Sequence, residues 1–208
     1  MVVSAGREGL RVLALWREDR RRALPGGFVG ATESPADTAR RKLTEKTGLP
    51  ELYIEQLGAF AAPDRDPCGW IPSIAYLALA PAGTKLRDER AAWISARGRH
   101  RWAFDHRAIV TTGIDRIAGK LWWSNIAVGI LPGAFSLSEA RAVYEAIADA
   151  TYDPATFARD LKATRLIEPT GEIRAVGAGR PAALYRFASH RPTWGAGRRK
   201  RISGESAM

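Results

Sequence analysis

The stretch that decides the fold runs Gly27-Phe28-Val29-Gly30-Ala31-Thr32-Glu33-Ser34-Pro35-Ala36-Asp37-Thr38-Ala39-Arg40-Arg41-Lys42-Leu43-Thr44-Glu45-Lys46-Thr47-Gly48-Leu49. Its second half is punctuated as a helix: Ser34 is an N-cap, Pro35 sits at N1, and Asp37 stands where a capping-box acid would. Gly48 ends it as a C′ residue, and Ala39 and Leu43 mark its buried stripe. Upstream, Leu10–Trp16 reads as a strand, followed by a charged turn from Arg17 to Arg22 and the Gly-rich turn Leu24–Val29. Downstream, strands lie between Leu52 and Ala80, the longest being Ile71–Ala80, with a turn at Pro81-Ala82-Gly83. A second helix is predicted after Phe104-Asp105-His106, to about Ala118. Strands around a capped helix, closed by another helix, make an α/β sandwich.

The chain has 208 residues, with 46% hydrophobic and 26% charged content, which is ordinary globular composition. There is no apolar run long enough for a membrane span, and the N-terminus lacks the layout of a signal peptide. The single cysteine, Cys68, excludes an internal disulfide and a cysteine zinc cluster, and fits a reducing cytoplasm. The net charge of +10 favours a polyanionic partner. An Arg- and Ala-rich composition from a GC-rich genome accounts for the same excess, so charge alone does not decide.

Beyond Gly119 the character changes. Lys120–Asn125 reads as a boundary, with Trp122-Trp123 as a dimer or interdomain contact, and a short apolar segment, Ile126–Leu131, follows. Ser136 and Glu139 form a capping box that opens a helix with Leu137, Ala140, Val143, Tyr144 and Ile147 on one face. Asp153-Pro154 starts another, with Phe157 and Leu161 buried and Thr156, Arg159 and Lys162 outward. Two strand-like runs, Leu166–Ile173 and Ala182–Phe187, flank Arg174-Ala-Val-Gly-Ala-Gly-Arg180-Pro181. Two helices and a Gly- and Arg-tipped hairpin have the layout of a winged helix-turn-helix. The expected division is 1–119, 120–188 and a disordered basic tail, 189–208.

For double-stranded DNA, Thr156, Arg159 and Lys162 are the groove-facing candidates, since Arg reads guanine bidentately. Arg174 and Arg180 flank the wing tip, with Gly177 and Gly179 letting it approach the backbone or minor groove. Ser136 is placed either to donate to a phosphate or simply to cap its helix. Arg198–Arg201 would add salt-sensitive affinity or be a solvated tail. Asp105 and His106 form the outline of a catalytic dyad, but no nucleophile accompanies them, so a role at the helix start is expected.

Gly27, Glu33, Arg41, Leu43, Glu45, Gly48 and Leu49 fall at the spacing of the Nudix box, which this stretch resembles. In that family Glu33 and Arg41 would form a bracing pair, and the carboxylates at 42, 45 and 46 would gather Mg²⁺ around a diphosphate. Here they are Lys42, Glu45 and Lys46, so the resemblance implies the scaffold without the metals, and no catalytic residue is expected. Either the site has drifted, or Lys42 and Lys46 hold the diphosphate themselves.

A Nudix-like α/β/α sandwich followed by a winged helix resembles the NrtR family, the Nudix-related transcriptional regulators of NAD metabolism. The stretches Asp64–Pro67, Ala75–Leu79, Ala103–Arg107, Leu166–Gly171 and Gly179–Phe187 carry that resemblance. It implies a homodimeric repressor on a palindrome at NAD synthesis or salvage genes, released by ADP-ribose or a related nucleotide. The ligand would lie against Arg41, Lys42, Glu45 and Lys46, with Asp66 accepting from a ribose hydroxyl. An active ADP-ribose pyrophosphatase and a sugar-responsive regulator of the same build are the alternatives. The stretch before Leu10 is short for this family, which implies an incomplete first strand or a misassigned start.

Overall fold

The computed structural model describes residues 1–48, 52–175 and 181–190. Nine strands and four α-helices are defined among the described residues. The chain opens with a hairpin of β1 (Val2–Gly6) and β2 (Gly9–Trp16), turned at Gly9 with a φ of 90°. Then come β3 (Arg22–Ala23), α1 (Pro35–Thr47), β4 (Ile54–Phe60), β5 (Ser73–Leu79), β6 (Ala91–Ser95) and α2 (His106–Lys120). These strands form one mixed sheet in the order β3-β2-β1-β5-β4, with β6 also paired to β2.

Alternation along the strands builds the two faces. Val2, Leu13 and Ala78 pack with Leu43 of α1 on one side. Val3, Ala5, Leu10, Val12, Leu77 and Leu79 face the other way, toward Ile109, Val110 and Ile117 of α2. The α/β/α sandwich is therefore present as expected. Helix α1 starts where its caps predict: the Ser34 side chain accepts from the Asp37 N–H, and Gly48 closes it at a φ of 78°.

The incomplete first strand is corrected. β1 precedes the expected strand, sits inside the sheet between β2 and β5, and is buried from Val2 to Ala5. β6 was also not anticipated, and α2 runs on to Lys120. The apolar segment after Asn125 is a 3-10 turn, Ile126–Gly129, pressed onto β5. Gly129 is needed for that contact, because a Cβ there would lie 2.7 Å from the Leu79 Cβ.

The second half consists of β7 (Phe135–Ser136), α3 (Leu137–Ala148), α4 (Pro154–Ala163), β8 (Ile167–Arg174) and β9 (Ala182–Phe187). Its three strands pair in the order β7-β9-β8. Helix α3 packs directly on β1 and β2, so one apolar core runs from Val3 through Leu121, Tyr144 and Phe157 to Phe187. Trp122 is part of the seam, edge-on to Tyr144, Tyr152 and Phe157 at 5.2–5.6 Å. Of the expected basic tail, Ser189 accepts from buried Asn125 at 2.6 Å, while 191–208 lie outside the described residues. Among the described residues no helix is long and apolar enough to cross a membrane.

Candidate functional site

A cavity of about 950 Å³ opens between the end of β2, the Gly-rich turn, α1 and the start of α2. Its size suits a nucleotide-like ligand. The rim carries exposed aromatic surface, Phe28 at 84% and Trp16 at 46%. The Arg22 guanidinium stacks 3.8 Å over the Trp16 ring. Cations enter from four places: Arg17 after β2, Lys42 on α1, Arg65 after β4 and Arg90 before β6.

The Glu33–Arg41 brace is formed. Arg41 donates from Nε and Nη2 to the two Glu33 oxygens at 2.7 and 2.8 Å, and the Thr38 hydroxyl adds a third bond at 2.8 Å. The Arg41 guanidinium, with Thr38, pulls the Glu33 carboxyl down to about 2. Glu45 is held by Lys42 at 2.9 Å and by Arg41 at 3.0 Å, and both lower its pKa. Both remaining box carboxylates thus already carry cations of the chain. Among the described residues no group of three or more His, Cys, Asp or Glu is placed to hold a metal. The residues present do not fit a divalent cation at the box helix.

The two lysines part company. Lys42 lines the cavity beside Gly27. Lys46 does not: it pairs with Asp88, half-buried at 17% and 13% side-chain exposure, and so ties the end of α1 to the β5–β6 connection. Asp88 is held well below the usual carboxylate range by Arg90 first and Lys46 second. The expectation that Lys46 grips a diphosphate is corrected for that reason. Arg41 and Glu45 belong to the brace rather than the lining, whereas Asp66 lines the cavity.

The Asp66 carboxylate accepts the Cys68 N–H at 2.9 Å, and Arg65 anchors the loop that carries it. Arg65 is 6% exposed, donates to both Asp105 oxygens at 2.7 and 3.0 Å, and reaches the Ile71 carbonyl at 2.7 Å. Asp105 is therefore engaged with Arg65. His106 accepts the Leu24 N–H at Nδ1, 3.0 Å away, and burial lowers its pKa to about 4. It is a neutral prop under the Gly-rich turn.

In the other half, Ser136 caps α3 through a full capping box with Glu139. At 2% exposure its hydroxyl is committed to Glu139 and Ser138, which corrects its assignment as a phosphate donor. Glu145 accepts from Arg141 and from the Tyr152 N–H, both at 2.9 Å, and so fixes the turn into α4. On α4, Phe157 and Leu161 are buried and Thr156, Arg159 and Lys162 are exposed. The Lys162 ammonium lies 5.2 Å over the Tyr185 ring. Arg174 pairs with Glu139, tying the wing strand to α3. Gly177, Gly179 and Arg180 lie outside the described residues, as do Leu49 of the box motif and Arg198–Arg201.

Comparison with known proteins follows the same division. A family model described as the NUDIX domain matches residues 1–103, and one described as the NrtR DNA-binding winged helix domain matches 127–187. The ADPR responsive transcriptional repressor NtrR of Acinetobacter baylyi is 32% identical over 174 residues, 80% of this chain and 69% of that protein. The chain belongs to the NrtR family. Shewanella oneidensis NrtR, in a crystal structure complexed with a 27mer DNA, superposes with a TM-score of 0.79 at 28% identity, covering 89% of this chain and 90% of that one. An ADP-ribose pyrophosphatase of Methanocaldococcus jannaschii is 35% identical over 92 residues, 42% of this chain and 54% of that protein.

Within this NrtR fold, sequence reasoning missed Trp16, Arg17 and Arg90 as cavity residues. Arg90 meets Trp16 and Arg17 only through β2–β6 pairing, and no local pattern marks β6. Phe28 carried a usable signal, a large apolar residue between glycines in a polar-flanked turn.

Proposed function

We propose that the protein is a transcriptional repressor of NAD synthesis or salvage genes that binds palindromic DNA as a homodimer and is released by ADP-ribose. The observation that carries this is the outward row Thr156, Arg159 and Lys162, on a helix whose partner α3 is packed on the sheet that forms the cavity. The kinship with an ADPR responsive repressor supports the effector. A division near residue 119, in the last turn of α2, agrees with this build.

The cavity would hold ADP-ribose without metal. Lys42, Arg17 and Arg90 supply the charge for a diphosphate, Asp66 accepts from a ribose hydroxyl, and Trp16 and Phe28 offer faces for a base. Hydrolysis is not expected, because Glu33 and Glu45 are occupied by Arg41, Thr38 and Lys42. Calorimetry with ADP-ribose in EDTA, alongside an AMP-release assay with Mg²⁺ or Mn²⁺, checks this. Binding in EDTA with no AMP is the expected result. Metal-dependent AMP release would establish the pyrophosphatase instead, and indifference to ADP-ribose would favour a sugar effector.

A further inference from the structure

The β2–β6 ladder joins the ligand cavity to the helix-turn-helix. At the cavity end, the Trp16 N–H donates to the Arg90 carbonyl at 2.8 Å. Arg90 also shares Asp88 with Lys46 of α1, so the box helix is tied to the same point. From there β6 pairs with β2 without a register shift, from Leu15↔Ala91 to Arg11↔Ser95. The Ala96 N–H then donates to the Leu10 carbonyl at 2.9 Å. The extended segment Ala91–Ser95 spans about 13 Å at the usual rise of a strand.

Arg97 leaves the far end of this ladder and reaches α3. Its guanidinium donates to the Ala146 carbonyl at 2.8 Å and the Ile147 carbonyl at 2.6 Å, and its Nε lies 3.6 Å from the Asp149 carboxylate. These carbonyls belong to the last turn of α3 and lack partners within the helix. The neighbouring Glu145 carbonyl is already taken by the N–H groups of Asp149 and Ala150. A cation is also favoured at a helix C-terminus. The turn that presents Arg97 is itself braced by Arg107 of α2, which donates to the Gly98 carbonyl at 3.2 Å. Elsewhere α3 meets the sheet through apolar contact, which has no direction. The two Arg97 bonds do have direction, and they set where the α3–α4 turn begins.

We propose that Arg97 is the positioning residue that couples the cavity to DNA binding. A ligand that displaces Arg90 displaces β6 as a unit, and Arg97 transmits the shift to the α3–α4 turn and so to Thr156, Arg159 and Lys162. This rests on the reading that the cavity ligand releases DNA. Ligand and DNA then prefer different positions of one element, the condition for coupling.

The test uses the full chain with R97M and R97K. Operator affinity is measured by fluorescence anisotropy with and without ADP-ribose, and ADP-ribose affinity by calorimetry without DNA. Wild type should show a coupling ratio of roughly 5-fold or more. R97M should keep its ADP-ribose affinity while the ratio falls to about one. R97K keeps the charge but not the forked geometry, should be intermediate, and carries the test if R97M melts early. A merely structural role would weaken DNA binding equally with and without ligand, leaving the ratio at the wild-type value; that outcome overturns the proposal. A wild type indifferent to ADP-ribose would instead remove the functional reading beneath it.

Discussion

Acid acts on Glu33 and His106 in the same direction and in adjacent pH windows. His106 has its folded pKa lowered from 6.5 to about 4, so the unfolded chain binds the proton first. Its contribution is complete above 6.5 and erodes as pH falls toward 4. Glu33 is lowered from 4.5 to about 2, so the brace contributes above 4.5 and is lost between there and 2. An NMR titration should place the His106 midpoint near 4, and a midpoint near 6.5 would mean that the ring is not buried. Melting temperature against pH should flatten below 4.5 in E33Q relative to wild type, whereas parallel curves would dissociate the brace from stability. Arg159→Ala removes the exposed guanidinium of α4 and should weaken operator binding by about 1–3 kcal/mol, read as a Kd ratio by anisotropy. Spacing alone showed that Lys42 and Lys46 replace carboxylates. It could not show that Lys46 turns away, because Asp88, its partner, lies 42 residues further on.

At the scale of elements, the 3-10 turn at Ile126–Gly129 and helix α3 hold the two halves of the chain together. Gly129→Ala would drive a methyl into Leu79, at a cost of about 1–3 kcal/mol in chemical denaturation. Tyr144 is fully buried and donates to the Leu121 carbonyl at 2.9 Å. Tyr144→Phe would leave that carbonyl unsatisfied and should cost about 1–3 kcal/mol as well. Helices α1, α3 and α4 were legible because Ser34, Ser136, Asp153 and Gly48 are local signals that need no tertiary context. β1 and β6 were not. β1 is buried along its length and so shows no polar alternation, and β6 (Ala-Ala-Trp-Ile-Ser) is half-buried on both sides. The cavity rim fell into the same gap, since β6 is what brings Arg90 to Trp16.

For the whole molecule, the continuous core is the feature with the largest consequence. Two domains joined by a loose linker would leave ligand and DNA independent. Here α3 is at once the first helix of the DNA-binding pair and a layer on the sensor sheet. A close-packed interior keeps α3 seated on the sheet, and the two Arg97 bonds are what would give a shift of the sheet its direction at the α3–α4 turn. The charge of +10 fits the DNA-binding role, and operator affinity should fall steeply with salt. The most direct test is a titration of the protein against palindromic DNA from an NAD-pathway promoter, at fixed salt and in EDTA, with and without ADP-ribose. Saturable binding that ADP-ribose weakens by roughly 5-fold or more, without being consumed, is the expected result. Binding that is unchanged by ADP-ribose, or absent at every such promoter, would contradict it.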